Sequence, residues 1–267
     1  MFEETPSQAW KKRFGVEPES ELPDLERFLN HRSVREYSDL EVPESVAAAL
    51  IACAQSASTS SNLHLWTAIS VQDPDRRREL ALLCGDQKQV HNAPWFFGFF
   101  ADHYRIRQAA LAAGATPATL DYNEFFTMAV VDVALAAERM VCAAEALGLG
   151  VCYIGALRND PFGVQKLLDL PMGVFGVFGL CIGYPTADST ADIKPRPLSS
   201  NVWHKETYGH AVDMSEYDAR MSEFYESQGM KGDVTWSMRS GRRLGESQLS
   251  GRDRLKEYLG EQDMDVR

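Results

Sequence analysis

The sequence predicts a core that mixes several α-helices with a few buried β-strands, which is typical of the α/β or the α+β class. Short apolar runs rich in aromatic and β-branched residues indicate the strands, and alanine-rich segments with start and stop signals indicate the helices. The 267-residue chain, 45% of it hydrophobic, is long enough to bury a full core. Periodicity does not show how the strands pair, so both classes stay open at this level.

The predicted elements follow one another along the chain without an internal repeat. Proline marks the first turn of two helices, at Pro43 and Pro161, and the strongest helix ends at the stop signal 148–150. That helix carries small residues around its circumference, which favours burial on most sides, including against another subunit. Helices are predicted at 43–57, 73–83, 127–147, 161–168, 214–226 and 251–259, and buried strands at 66–71, 95–101, 151–155 and 175–183.

The distribution of polar residues divides the chain into three parts. Residues 1–22 are polar and charged, which predicts an arm outside the main core. The apolar elements fall within residues 23–212, which are predicted to form the core. Residues 213–267 are polar with two helical stretches, which predicts a helical extension of the same domain.

Composition and motifs exclude several classes of protein. The net charge of −11 argues against a general affinity for nucleic acid. Charged residues interrupt the most apolar long segment, 128–149, and no apolar stretch resembles a signal peptide, so we expect a soluble, cytoplasmic protein without a membrane span. The spacing of the histidines and of the five cysteines predicts no metal site. Walker, G-x-S-x-G and G-x-G-x-x-G motifs are missing, so a nicotinamide would bind without a Rossmann domain.

Two clusters of basic residues are candidates for binding an anion. In an extended segment His31, Ser33 and Arg35 would share one face and offer cations and a hydroxyl to a phosphate. Lys194 and Arg196 flank a proline that fixes their turn, so both could contact the same anion. The alternative for the first cluster is a helix-terminal basic patch that is merely solvated.

Three further segments are candidates for binding a polar heterocycle. The run 58–62 is rich in small hydrogen-bonding residues, and Gln87 offers an amide. Gly155 and Ala156, at the end of a predicted strand, are small enough to let backbone N–H groups approach a flat ligand. The alternatives are an ordinary helix-terminating loop, a surface amide and a tight turn.

Taken in order, these segments resemble the nitroreductase / flavin reductase family, in particular its NADPH-dependent, oxygen-insensitive nitroreductase group A branch. The resemblance extends from His31 to the carboxyl end. It is carried by H-R-S-x-R at 31–35, the serine-rich run at 58–62, G-x-Q-K at 85–88, Y-I-G-x-L-R-N at 153–159, F-G-L-C-I-G-Y-P at 178–185, K-P-R at 194–196, and Arg252 ahead of the predicted helix 255–259.

The resemblance implies an α+β fold of the nitroreductase type, in which helices wrap a small mixed β-sheet. It also implies an obligate homodimer with FMN bound at the subunit interface. The cofactor-binding residues that it implies are His31, Arg32, Ser33, Arg35, Ser58, Ser60, Asn62, Gln87, Ile154, Gly155, Ala156, Lys194 and Arg196, with Arg158 at the rim of the same site.

The resemblance assigns a role to each group of these residues. His31, Ser33, Lys194 and Arg196 would hold the FMN phosphate. Arg35 would lie near N1 and O2 of the flavin and act as the catalytic residue by stabilising negative charge there. Gln87 would contact the pyrimidine edge. The backbone around Gly155 and Ala156 would donate to N5, and Ser58, Ser60 and Asn62 would reach the flavin of the other subunit.

The implied activity is ping-pong transfer of hydride from NADPH, with NADH as an alternative donor, to nitroaromatics, quinones or related acceptors. Lys231 and Arg252 would contact the nicotinamide phosphate, although the family has an arginine-bearing loop where this chain has Lys231. A second departure is Ala156, at a position where the family usually has glycine. The alternatives are a flavin reductase that supplies reduced FMN to a partner protein, and a flavin-binding protein without turnover.

Overall fold

The computed structural model describes residues 4–18, 20, 22, 25–232 and 234–264. The chain forms two compact units, one of Met1–Arg32 with Thr190–Gln248 and the other of Ser33–Ser189 with Leu249–Arg267. These bounds differ from the three-part division at residues 22 and 212, which stays a prediction about domains.

The helices are numbered here in chain order. They are α1 (Pro6–Phe14), α2 (Glu26–Leu29), α3 (Glu44–Gln55), α4 (Pro74–Leu83), α5 (Lys88–Asn92), α6 (Tyr104–Ala112), α7 (Asn123–Ala146), α8 (Pro161–Leu168), α9 (Ser215–Ser227), α10 (Trp236–Arg243) and α11 (Leu255–Glu261).

The second unit contains a four-stranded sheet in the order β1-β2-β4-β3. All its strands pair antiparallel, and β4 lies between β2 and β3. The mixed sheet that the resemblance implied is therefore corrected. The parallel pairing among the described residues is a single bridge between Ser33 and Val151, too short to form a strand. The strands are β1 (Trp66–Ser70), β2 (Trp95–Asp102), β3 (Gly150–Ile154) and β4 (Val174–Gly183).

The four strands and most of the helices lie where the sequence predicts them, to within a few residues. Helix α8 has the predicted bounds, because Asp160 caps it by accepting a hydrogen bond from the Gly163 amide at 2.9 Å. The predicted helix 251–259 begins late, since a 3₁₀ turn at Arg252–Arg254 precedes α11. Helices α1, α2, α5, α6 and α10 were not predicted, because they are short or polar and lack a continuous apolar face.

Both faces of the sheet are covered by apolar side chains. On one face, Ala136 and Met140 of α7 pack in a cluster that includes Phe97 and Phe99 of the sheet. Phe96 and Phe100, which alternate with them along β2, point to the opposite face. There they belong to a second cluster that includes residues of α4 and α8. This double coverage explains why β2 and β4 are almost continuously apolar rather than alternating.

The first unit has a smaller apolar cluster. Tyr217, Met221 and Tyr225 of α9 are buried, and Trp236 of α10 packs against them. Its helix α1 buries Ala9 completely. None of the helices described in either unit combines the length and hydrophobicity needed to cross a membrane.

Candidate functional site

In the second unit, the segment that begins at Ser33 lies against the edge strand β3. The Val34 amide donates to the Val151 carbonyl at 2.9 Å, and the Val34 side chain is buried against Gly150. A Cβ on Gly150 would lie 2.7 Å from the Val34 side chain, so this close approach requires glycine. Ser33 is half-buried and Arg35 is exposed on either side of buried Val34, which is the alternation the sequence predicts.

The serine-rich segment is fixed by a carboxylate that the sequence analysis did not single out. Asp132 of α7 is 1% exposed, and it accepts hydrogen bonds from the amide of Ser60 at 2.7 Å and from the amide of Leu65 at 3.0 Å. Between these anchors Ser61 and Asn62 adopt positive φ angles of 50° and 57°. Asp132 thus satisfies the main chain of a loop whose conformation is unfavourable for non-glycine residues.

Ser58 and Asn62 are exposed and Ser60 is half-buried, so all three can be reached by a ligand. The signal that could have identified Asp132 is an acidic residue on the buried face of an otherwise apolar helix, since such a charge needs several hydrogen-bond donors. Its donors are main-chain amides about seventy residues earlier, as the contacts show, and no local pattern reveals them.

Gln87 lies in the turn before α5, and its amide is engaged within the unit. Its Nε2 donates to the Cys84 carbonyl at 2.8 Å, and its Oε1 accepts from Gln89 at 2.8 Å.

The segment that follows is held by Arg77, a second residue that sequence reasoning missed. The buried Arg77 guanidinium donates to three carbonyls, those of residues 71, 90 and 93. Its burial lowers the pKa of Arg77 to about 10.

The end of β3 forms the predicted turn of small residues. Ile154 is buried, and Gly155 and Ala156 are half-buried at the start of a 3₁₀ helix, Gly155–Arg158. A Cβ on Gly155 would meet nothing closer than the Arg158 guanidinium, at 3.5 Å. Arg158 itself donates to the Val177 carbonyl. A methyl group at residue 155 would therefore be in ordinary contact with Arg158, whose guanidinium lies beside this turn.

The C-terminal segment braces this turn. Arg252 donates from Nε to Asn159 Oδ1 at 3.0 Å and from Nη2 to the Gly155 carbonyl at 3.2 Å. Gly251 makes the approach possible, because it has a φ of 84° and a Cβ there would lie 2.2 Å from the Asn159 carbonyl oxygen. The turn before Gln87 lies nearby, since a Cβ on Gly85 would be 3.7 Å from the Asn159 side chain.

In the first unit, the remaining predicted residues lie in three segments, around residues 31, 194–196 and 231. Lys194 is exposed, with its ammonium 6.0 Å from the centre of the Phe224 ring, and Arg196 is half-buried. His31 is half-buried next to Arg32, at the end of the stretch Met1–Arg32. Lys231 is exposed, and its carbonyl accepts a hydrogen bond from Arg239 at 3.1 Å.

Arg32 differs from its neighbours because its side chain is buried in an ion pair. Its Nη2 lies 2.7 Å from Glu4 Oε2, and the same nitrogen is 3.2 Å from Asn30 Oδ1. The hydrogen bond from Arg32 is the largest effect that lowers the pKa of Glu4, which falls to about 2. The predicted contact of Arg32 with a cofactor stays a prediction, and the structure gives its guanidinium a role within the unit.

The chain belongs to the nitroreductase family. The model of the nitroreductase family matches residues 29–184, and that of the nitroreductase family C-terminal domain matches residues 194–267. Together they cover most of the sequence and leave α1 outside. The fold agrees, because a solved nitroreductase structure matches 90% of this chain.

Individual relatives are similar over most of their length. The chain is 39% identical over 220 residues to an FMN reductase (NADPH) of Bacillus subtilis, covering 80% of this chain and 88% of the relative. It is 37% identical over 209 residues to an oxygen-insensitive NADPH nitroreductase of Salmonella typhimurium, covering 78% and 84%. The solved structure of the NfrA1 nitroreductase from Bacillus subtilis has a TM-score of 0.82 and 36% identity, covering 90% of this chain and 98% of that one.

Proposed function

We propose that the protein is an FMN-dependent oxidoreductase that takes hydride from NADPH and reduces nitroaromatics, quinones or related acceptors. The observation that carries the proposal is the turn at Gly155 and Ala156, which has small residues, a guanidinium beside it (Arg158, 3.5 Å from a Cβ on Gly155) and a brace from Arg252. The names of the relatives support the choice of FMN and NADPH, since they include an FMN reductase (NADPH) and an NADPH nitroreductase.

The residues fit FMN in two respects. In the second unit, the small residues Gly155 and Ala156 would let backbone amides approach a flat ring, and exposed Arg35 supplies a cation. In the first unit, Lys194 is exposed and Arg196 is half-buried, as side chains that bind a phosphate must be. FMN supplies the redox chemistry when bound, namely two-electron transfer between a nicotinamide and an acceptor.

The chain's own residues would bind the flavin, orient its ring and stabilise charge on it. Arg35 would stabilise negative charge that develops at the pyrimidine side of the ring. The amides of the 155–156 turn would donate to the ring, and the brace from Arg252 would keep that turn in place. Gln87 would contact the ring edge only if its amide exchanged the hydrogen bond to Cys84 for one to the ligand. His31, Ser33, Lys194 and Arg196 would hold the phosphate.

The nicotinamide phosphate is assigned to Lys231 and Arg252. Lys231 is exposed, as a residue that contacts a phosphate from solvent must be. Arg252 already donates to Asn159 and Gly155, so its contribution would include fixing the turn beside the ring. We expect NADPH to be the preferred donor over NADH, because residues 231–256 carry an excess of basic over acidic side chains.

A homodimer is part of the proposal. Val131 and Leu135 of α7 are 43% and 42% exposed, on the face of that helix opposite the buried core. Exposed apolar residues on a long helix are typical of a subunit interface. Asp132 of the same helix anchors the serine-rich segment through the Ser60 amide. We propose that this segment, through Ser58, Ser60 and Asn62, reaches the flavin of the other subunit. Size-exclusion chromatography with light scattering tests the dimer, and a monomer would remove this role from the three residues.

The proposal is tested by absorbance spectra of the purified protein before and after anaerobic addition of NADPH. A second sample of the protein receives NADH instead. We expect a flavin spectrum that bleaches faster with NADPH. A flavin spectrum that neither donor bleaches would instead support a flavin-binding protein without turnover. A protein without flavin that takes up no added FMN would overturn the proposal.

A flavin reductase is the second candidate, and the name of the Bacillus subtilis FMN reductase (NADPH) favours it. Both candidates use the same hydride site and differ in how tightly flavin is held. Steady-state kinetics with free FMN and with a nitroaromatic distinguish them. Saturable turnover of free FMN that is much faster than turnover of the nitroaromatic would favour the flavin reductase.

A further inference from the structure

Helix α1 lies before residue 29, where the match to the family begins. Its first turn is closed by a capping box, in which Thr5 Oγ1 accepts from the Gln8 amide at 3.3 Å and Gln8 Oε1 accepts from the Thr5 amide at 2.9 Å. It ends at Gly15 with a φ of 75°. Both ends are therefore specified by the sequence, and α1 has a defined place in its unit.

The last turn of α1 fixes the main chain at His31. Arg13 is 7% exposed, and its Nη2 donates to the carbonyl of Leu29 at 2.7 Å and to the carbonyl of His31 at 2.9 Å. A guanidinium buried on two carbonyls holds them in a fixed geometry, because its donors form a rigid planar fork. His31 is one of the residues proposed to bind the FMN phosphate.

The main chain of the same residue fixes Arg196, a second proposed phosphate ligand. The Arg13 carbonyl accepts from the Arg196 amide at 2.8 Å and from Arg220 Nη1 at 2.9 Å, and Arg220 Nη2 donates to the Arg196 carbonyl at 3.0 Å. Gly15 permits this arrangement, since a Cβ there would lie 2.5 Å from the Arg220 side chain. Both main-chain groups of Arg196 are thus tied to α1 or to its partner Arg220.

A second link runs beside the first. Lys12 contacts Glu4 Oε1 at 2.8 Å and Asp192 Oδ1 at 2.7 Å, while Glu4 Oε2 pairs with Arg32 at 2.7 Å. Helix α1 therefore joins the segment that ends at Arg32 to the segment around residues 192–196 twice, once through carbonyl groups and once through ion pairs.

We propose that α1 belongs to the phosphate-binding part of the FMN site and that Arg13 is its positioning residue. Arg13 would keep His31 and Arg196 at a fixed separation, so that their side chains meet the phosphate without reorganisation. This inference rests on the proposed function, and it assigns a purpose to a segment that lies outside the family match. In this role Arg13 acts on affinity for the phosphate, and affinity for the flavin ring does not depend on it.

Riboflavin, which lacks the phosphate, separates these two effects. The dissociation constants of FMN and riboflavin are measured by flavin fluorescence with the full-length protein stripped of flavin, for the wild type, Arg13→Met and Lys11→Met. We expect Arg13→Met to weaken FMN about tenfold, the effect of losing a charged hydrogen-bond contribution, and to leave riboflavin unchanged. Lys11→Met is the matched control, because its partner is the exposed Glu17, and it should change neither constant.

Two results would overturn the role of Arg13. One is an unchanged FMN constant in Arg13→Met, and the other is an equal loss for FMN and riboflavin, which indicates a general structural defect. Should Arg13→Met fail to fold, Arg13→Lys is judged by the same ratio, since lysine keeps the charge but lacks the planar fork. A wild-type protein that binds neither flavin would instead refute the proposed function, and one that binds both equally would refute the phosphate site.

Discussion

The two compact units are stabilised by different interactions. The second unit has a four-stranded sheet with apolar clusters on both faces, in which Phe96, Phe100 and Met140 are fully buried. The first unit has an apolar cluster with three buried residues on α9, and arginines such as Arg13 and Arg220 donate to its carbonyl groups. Substitutions that leave a cavity in the second unit should therefore cause large losses of stability. Substitutions of the arginines in the first unit should instead disturb the positions of the residues proposed to bind a ligand.

The largest expected effect is a cavity in the second unit. Phe100→Ala removes a ring that is fully buried and that contacts the Gly98 and Gly176 positions. It should lower the free energy of unfolding by about 3–5 kcal/mol. Denaturant titration of the variant measures this, with Leu82→Ala as a control because Leu82 is 60% exposed. Equal, small effects for both variants would contradict the contrast between the units.

The next effect concerns catalysis without a loss of stability. Arg35 is exposed, so Arg35→Ala should leave the fold and most bound FMN in place. It should slow reduction by NADPH by a factor on the order of 100 if Arg35 stabilises developing charge. Anaerobic stopped-flow absorbance measures the rate, and Arg78→Ala, which also removes an exposed arginine of the second unit, serves as the control. Unchanged reduction in Arg35→Ala would remove Arg35 from this role.

A smaller effect is expected at the anchor of the serine-rich segment. Asp132→Asn keeps the shape of the side chain but turns one amide–carboxylate contact into a meeting of two donors. We expect a loss of about 1–3 kcal/mol in the free energy of unfolding. Glu124→Gln, on an exposed position of the same helix, is the comparison. A variant as stable as the wild type would show that the segment does not depend on Asp132.

The smallest effect should appear as a pH dependence in the first unit. The Arg32 guanidinium lowers the pKa of Glu4 from its ordinary value of 4.5 to about 2. Because the pKa is lower in the folded state, the stabilisation is fully present above pH 4.5 and is lost as the pH falls toward 2. Unfolding measured across this range should show Glu4→Gln less stable than the wild type at pH 6, with the difference vanishing near pH 2. A constant difference would indicate that the pair contributes no proton linkage.

The same contrast explains how much the sequence could predict. The sequence predicts the strands of the second unit because they are continuous buried apolar runs, such as Trp95–Asp102. It predicts α7 because the apolar face of that helix is long. Antiparallel pairing was not found, since the pattern of a strand buried on both faces does not depend on its direction. Helix α1 was missed although Thr5 and Gln8 form a capping box, because its surroundings are charged.

The candidate site divides in a similar way. The sequence identifies candidate residues by the chemistry of their own side chains, such as the cations Arg35 and Lys194. It does not identify residues that hold the backbone from a distance. Asp132 and Arg13 bind main-chain amides and carbonyls of remote segments, and those groups are the same in every residue type.

The central claim is that this chain holds FMN through separate groups for the phosphate and for the ring. Its most direct test is the flavin content of Lys194→Ala combined with Arg196→Ala, compared with the wild type after gel filtration. We predict that the wild type retains FMN and that the double variant is folded but colourless, with riboflavin affinity equal to that of the wild type. A double variant that retains FMN as the wild type does would contradict the claim.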